Sequence, residues 1–332
     1  MRTPEIQMSL ALPDPATVLP SVTVLAQSDS ELVTRQQVLA KKKALKRLRS
    51  DASSRLKDKS LLSAERDDLY KEAQHYYGQE SELEDLLSSR YLPLHSPNQL
   101  LNPRLFMVTP LFRVASRSAP REEITKIVLG DDNGTPVSYV GPELRQAEGL
   151  VFMALINVAR DVQAGVTVQF TPSEFCNAIF GRYDGPTRNR LKEYIRRLQA
   201  GQIRTKNYTV QLCQRFEHPA TGPWSVALDK DIVHLFSSSN VWLSLKDRVE
   251  LSDGLSSWLY GYVEAQTTLI PTSVEALRNF CGSGSTGKSF LLSLRAALKE
   301  LVEHKVIDAG FYIKGEKLYW RKCPPTVLAA SV

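Results

Sequence analysis

Two stretches of this 332-residue chain, about one hundred residues apart, carry the same signals in the same order. In the first, a β-prone run at 166–170 is followed by Thr171-Pro172-Ser173-Glu174, an apolar stretch at 175–180, Gly181, and a longer amphipathic segment at 186–199. In the second, a β-prone run at 267–270 leads into Pro271-Thr272-Ser273-Val274-Glu275, then 276–281, Gly282 and a long segment at 285–303. Thr171-Pro172 and Thr272-Ser273 are helix starts, because their side chains or fixed φ suit the first turn. Gly181 and Gly282 suit the left-handed residue that ends a short helix. An apolar helical segment precedes each stretch (143–160 and 255–266), and β-prone segments follow (203–216 with 224–228, and 307–313 with 317–321). Lys314-Gly315-Glu316 supplies a hairpin turn. Helix, strand, short helix, turn, longer helix, hairpin is winged-helix order, with the two consecutive helices forming a helix-turn-helix. The expectation is an α+β fold with tandem winged-helix domains.

The rest of the chain is divided by composition. Residues 1–30 are rich in Pro, Ser, Thr and Val without periodicity and read as a flexible tail. Residues 31–89 are polar, with Leu and Ala at loose helical spacing, and read as one or two charged helices. The four prolines in 91–110 suggest a linker. The expected division is a flexible, partly helical N-terminal arm and linker at 1–103, one winged-helix domain at 104–228, a second at 229–323, and a tail at 324–332. Leu100, Leu101, Leu105, Phe106 and Val108 leave open an apolar patch for a homodimer, or else cover for their own domain core.

Charge is concentrated rather than spread. Residues 182–206 hold eight basic side chains against two acids, a net of +6, which equals the excess of the whole chain. A second block, 41–49, has six basic residues and no acid, and a run of acidic residues from Asp67 to Asp85 follows it. Local basic blocks attract polyanions, although a solvated helix face accounts for 41–49 equally well. In 186–199, Leu191, Tyr194, Ile195 and Leu198 form one apolar stripe. Asn189, Lys192, Glu193, Arg196 and Arg197 then face outward with Arg190 on the flank, and Arg182 and Thr187 stand at the start. The second helix of a helix-turn-helix enters the major groove, where Arg suits guanine and Asn suits adenine. Arg188, Asn189 and Arg190 are therefore candidate base readers, and Lys192, Arg196 and Arg197 candidate phosphate contacts. In 285–303 the inner stripe is Leu291, Leu294, Leu298, Leu301 and Val302. Ser285, Thr286, Lys288, Ser289, Arg295 and Lys299 complete the candidate DNA-binding set.

Gly282-Ser-Gly-Ser-Thr-Gly-Lys288-Ser289 matches the nucleotide phosphate-loop pattern in full. That loop needs a strand before it and a parallel sheet around it, whereas a helical segment precedes it here and 43 residues follow Ser289. The glycines read instead as the turn of the second helix-turn-helix, whose amides suit a DNA phosphate. The four cysteines contain no C-x-x-C pair, and the five histidines are scattered. No catalytic residue, metal ligand or cofactor is expected, and a reducing compartment is. The first residues lack the apolar core of a secretory signal, and the longest apolar run, 150–159, is too short to span a membrane. A cytoplasmic protein is expected.

Several of these segments resemble the TrfA-type plasmid replication initiators. They are the run Val137-Ser-Tyr-Val-Gly-Pro-Glu-Leu144, the block Phe170-Thr-Pro-Ser-Glu-Phe-Cys-Asn177, Gly181-Arg-Tyr183, the 190–200 helix, 226–236, and 277–286. The likeness spans about 105–322. It implies tandem winged helices that bind directly repeated origin sites (iterons) in double-stranded plasmid DNA, promote origin opening and recruit the host initiator and replicative helicase. It also implies a protein without a catalytic site. Separately, Gln7-Met-Ser-Leu10-Ala-Leu12 resembles the peptide by which bacterial proteins dock on the DNA polymerase sliding clamp: Gln7 as a polar hook, Leu10 and Leu12 as alternating apolar side chains. The competing reading is a winged-helix transcriptional regulator or autorepressor, which would use the same helices.

Overall fold

The computed structural model describes residues 19, 23–24, 35–58, 60–116, 118–132 and 135–324. It is a mixed helix and strand structure in which most buried apolar side chains form one cluster, running from Leu19 to Trp320; Val38, Leu45, Ala52 and Leu69 are buried outside it. Leu19 is buried, and strand β1 (Thr23–Val24) pairs with the body of the protein, so this part of the expected tail belongs to the fold. Helices α1 (Arg35–Arg55) and α2 (Ser63–Arg90) form a hairpin. Lys42 pairs with Glu84 at 3.1 Å and Arg49 with Glu80 at 3.2 Å, so α2 neutralises part of the 41–49 block.

The expected linker at 91–110 is core instead. Tyr91, Leu92, Leu100, Leu101 and Phe106 are at most 2% exposed. Strand β2 (Gln99–Pro103) lies antiparallel to a strand 140 residues downstream, Leu101 opposite Trp242, and short helix α3 (Arg104–Met107) follows it. The apolar patch considered for a dimer is thus covered by the protein's own core; Leu105 and Val108 pack against that core. Strand β3 (Phe112–Arg113) comes next, then β4 (Glu123–Asp132), β5 (Thr135–Pro142) and β6 (Leu144–Arg145). β3 and β6 pair in parallel, while β4 and β5 form a hairpin with two register shifts.

Helix α4 (Gln146–Val158) is buried along nearly its whole length. Near its C-terminal end the buried amide of Asn157 donates to the carbonyls of Ser96, Pro97 and Gln99 and pins the 96–99 segment. The first repeated unit follows: β7 (Val168–Phe170), α5 (Pro172–Phe180), α6 (Gly185–Ala200), β8 (Gln202–Arg204), β9 (Thr209–Gln211), β10 (Arg215–Glu217) and β11 (Trp224–Ala227). β8 and β9 leave the unit to complete a four-stranded sheet in the order β4-β5-β8-β9. A 3-10 helix (Lys230–Phe236), β12 (Asn240–Ser244) and α7 (Leu245–Glu250) lead to α8 (Leu255–Glu264), and β12 is the partner of β2. The second unit is β13 (Thr272–Ser273), α9 (Val274–Phe280), α10 (Gly287–Glu303), β14 (Tyr312–Lys314) and β15 (Lys317–Tyr319).

The two units share one connectivity. In each, a strand leads into two consecutive helices, and that strand then pairs with the second strand of the hairpin: β7-β11-β10 and β13-β15-β14. Gly181 and Gly282 end the first helix of each pair with φ of +67° and +64°. At Gly282 a Cβ would also come within 2.9 Å of Pro110, so both conformation and space demand glycine. The strand expected at 267–270 lies later, at 272–273. Pro271 has no N–H to give the ladder, and Ile270 before it is 68% exposed. The inner stripe of α10 starts at Phe290, which is 1% exposed, rather than at the half-buried Leu291.

Leu101 tests the status of the 91–110 segment. Leu101→Ala should lower the unfolding free energy by about 2–5 kcal/mol, read as an earlier denaturant midpoint at unchanged slope. A midpoint equal to the parent's would return this segment to linker status.

Candidate nucleic-acid interface

Helix α6 begins at Asp184, whose carboxylate accepts the Thr187 N–H at 2.6 Å. Hydrogen bonds from Thr187 hold that carboxyl below its ordinary range, so it stays ionised at the positive end of the helix dipole. Leu191, Ile195 and Leu198 are fully buried and fix the rotation of the helix; Asn189, Glu193 and Arg196 are exposed. Three residues expected on the outer surface have other positions. Thr187 is 1% exposed and accepts from Arg190 at 2.9 Å. Arg197 turns inward to Glu148 at 2.9 Å, where it meets a fully buried carboxylate. Arg188 donates to the carbonyls of Pro219 and Ala220 at 3.1 and 2.8 Å and lies over the Trp224 ring. It therefore ties the tip of the β10–β11 hairpin to the helix. Arg188, Lys192 and Arg196 follow one another at four-residue spacing on this side, and Arg196 reaches Glu193 and His218. Arg182 is exposed, 3.8 Å from Asp184.

On the opposite side of α6 a cleft of about 710 Å³ is lined by Asn189, Arg190 and Arg197, by Arg113, Arg121 and Arg145, and by Ser252 to Gly254. The arginines that line it are paired with two buried carboxylates, Glu143 and Glu148, both at most 4% exposed. Glu148 accepts from Arg121 at 2.8 Å, from Arg197, and from the Arg145 N–H that opens α4. Glu143 pairs with Arg145 at 2.5 Å and with Arg113 at 3.4 Å. Burial lowers the pKa of Arg121, opposed by Glu148. The neighbouring Arg248 is fully buried, and desolvation pushes it down to about 10 against the attraction of Asp253; it remains protonated at neutral pH. Arg113, Arg121 and Arg248 were not among the candidate residues. Their hydrogen-bond partners lie 9 to 169 positions away, and no local pattern marks them.

Helix α10 begins at Thr286, whose hydroxyl accepts the Ser289 N–H at 3.4 Å. Ser285, Lys288, Ser289, Arg295 and Lys299 are all exposed on one face. The loop before it runs out of helix α9, and the adjacent sheet is antiparallel, unlike the surroundings of a nucleotide phosphate loop. The turn is anchored to the first half of the molecule: Val114 N–H donates to the Cys281 carbonyl at 2.8 Å, and Arg113 to that of Gly282 at 3.2 Å. Cys176, Cys213 and Cys281 are buried, and burial pushes each thiol up to about 12. Among the described residues no helix is long and apolar enough to cross a membrane. Gln7, Leu10 and Leu12 lie outside the described residues.

These features define an α+β protein with two copies of a helix–helix–hairpin unit, each presenting a basic second helix. The family model described as TrfA protein matches residues 92–314, and the chain belongs to that family. The plasmid replication initiator protein TrfA of Escherichia coli is 24% identical over 188 residues, which cover 53% of this chain and 49% of the relative. The chain thus spans about half the length of the curated relative it matches. Among solved structures, domains 2 and 3 of RctB, as selenomethionine derivatives, match with a TM-score of 0.46 and 12% identity, over 67% of this chain and 98% of that one. A second crystal structure of RctB domains 2–3 matches with a TM-score of 0.39 and 12% identity, over 63% and 95%.

Arg188→Ala should free the hairpin tip, change Trp224 fluorescence and weaken DNA binding for all sequences alike. Arg190→Ala should instead relax base preference at a cost of about 1–3 kcal/mol. Unchanged fluorescence and a changed base preference in Arg188→Ala would restore Arg188 as a base reader. The raised thiols make a second test. With a thiol reagent near pH 8, Cys323 alone should react rapidly in the native chain, and all four cysteines after unfolding. Fast native reaction of two or more would contradict the burial of the other three.

Proposed function

We propose that this chain is a plasmid replication initiator, built of tandem winged-helix units that bind directly repeated sequences in double-stranded origin DNA. On this reading α6 and α10 enter the major groove and the two hairpins act as wings against the backbone. The observation that carries it is the duplicated unit with a basic face on both second helices; membership of the TrfA family supports it. Asn189 and Arg190 take the base-reading role in the first unit, with Lys192, Arg196 and Arg182 at phosphates. Arg188 positions the wing, and Thr187 and Arg197 hold the helix in place. In the second unit Ser285, Lys288, Ser289, Arg295 and Lys299 meet the duplex, while Thr286 caps the helix. Binding would promote opening of the adjacent duplex and bring in the host initiator and replicative helicase, in the bacterial cytoplasm and without a cofactor. The Gln7, Leu10 and Leu12 peptide would dock on the sliding clamp, and Gln7→Ala with Leu10→Ala should lose clamp retention while sparing origin binding.

Footprinting on the plasmid that encodes the chain tests the reading. Protected tandem direct repeats are expected; a single palindrome would favour the transcriptional regulator. Lys192→Ala should weaken binding to every sequence and flatten the salt dependence by about one unit. The phosphate-loop match is accidental on this reading, so the purified protein should turn over no ATP, and Lys288→Ala should weaken DNA binding instead. ATP turnover that disappears in Lys288→Ala would overturn it.

A further inference from the structure

Leu292 stands 70% exposed on the outward face of α10; among the described residues no large apolar side chain is more exposed. It has no part in the core, because Phe290, Leu294, Ala297, Leu298 and Leu301 already complete the inward stripe. Its neighbours at three- and four-residue spacing are Lys288, Ser289, Arg295 and Ala296, all exposed. Lys299 follows one turn beyond Arg295, and no carboxylate occurs from Ser285 to Lys299. An apolar side chain therefore sits inside an acid-free basic surface, between two small residues that let a partner come close. The charge selects a polyanion as that partner. Among the groups a duplex presents in its major groove, the apolar one is the C5-methyl of thymine.

We propose that Leu292 is a specificity-determining residue that packs against thymine methyl groups while Lys288, Arg295 and Lys299 hold the flanking phosphates. The proposal rests on the reading of α10 as a groove-entering helix. It gives the two units different chemistry: hydrogen bonding from Asn189 and Arg190 in the first, methyl packing from Leu292 in the second.

The test uses the full chain and duplexes carrying the footprinted repeats, made with thymine or with deoxyuridine, which removes the methyl group alone. The parent protein should bind the uracil duplex about four-fold more weakly for each packed methyl group that is removed. Leu292→Ala should bind the thymine duplex more weakly and not distinguish the two. Leu292→Met, which keeps an apolar side chain, should retain discrimination, and Lys288→Ala should weaken both duplexes in equal proportion. Equal binding of both duplexes by the parent overturns the proposal, as does the same ratio in the parent and Leu292→Ala. Loss of plasmid replication in Leu292→Ala with an unchanged thymine-to-uracil ratio also overturns it and assigns the side chain to a protein partner. Failure of the parent to prefer the repeats in either form would instead defeat the functional reading beneath it, and the proposal with it.

Discussion

Glu148 is the carboxylate on which the arrangement of the first unit depends. It is fully buried at the start of α4, and it is tolerable there because Arg121, Arg197 and the Arg145 amide meet it together. A buried carboxylate stripped of its cations costs several kcal/mol, so the three donors are held as firmly as the acid. The consequence is geometric: Arg197 fixes the last turns of α6 against α4, and Arg121 and Arg145 fix the 113–121 segment above them. That segment bonds in turn to the Cys281 and Gly282 carbonyls before α10. A second tie runs from the other side, where Glu300 of α10 accepts from Ser252 and Ser256 beside the same cleft. Burial pushes the Glu300 pKa up, but the serine hydrogen bonds outweigh it and leave the group below its ordinary range, so it is ionised at neutral pH.

Charge counted along a sequence therefore overstates the charge offered to a partner. The 182–206 stretch nets +6, yet Arg197 neutralises a buried acid, Arg188 is held by carbonyls of the β10–β11 hairpin loop and Arg196 shares Glu193. Helix α10 has fewer basic residues, but none of Lys288, Arg295 and Lys299 forms an ion pair among the described residues, and its face has no acid. The two helices end closer in effective potential than their compositions indicate.

What could be read from the sequence was what local rules decide. Pro172 at a helix start, Gly181 and Gly282 at positive φ, and the Leu191, Ile195, Leu198 stripe each act within a few residues, so the two helices of each repeated unit were legible with near-correct boundaries, while the strand expected at 267–270 was misplaced. The 91–110 segment was not. Its prolines signal irregular backbone, and that signal does not say that β2 finds β12 140 positions away, or that Asn157 gathers three of its carbonyls. The β4-β5-β8-β9 sheet escaped for the same reason, since β8 and β9 sit inside a unit whose hairpin they do not join. At the candidate interface, residue type indicated basic character but not direction: Arg188, Arg190 and Arg197 look alike in sequence and are separated by their partners.

Rigid coupling of two unlike units bears on the kind of site such a protein can read. A palindromic site mirrors a two-fold axis relating identical reading elements. Within one chain no such axis relates α6 to α10: one presents Asn189 and Arg190, the other Leu292 among lysines and serines. The 113–121 segment and the Glu300 contacts hold them in a single order, so on the proposed reading the matching duplex has a direction, with one half rich in hydrogen-bonding edges and the other in methyl groups. Copies of a directional site, each filled by one chain, can repeat head to tail. On the proposed reading, direct repetition of the site is compatible with the asymmetry of one chain and needs no symmetric dimer to explain it.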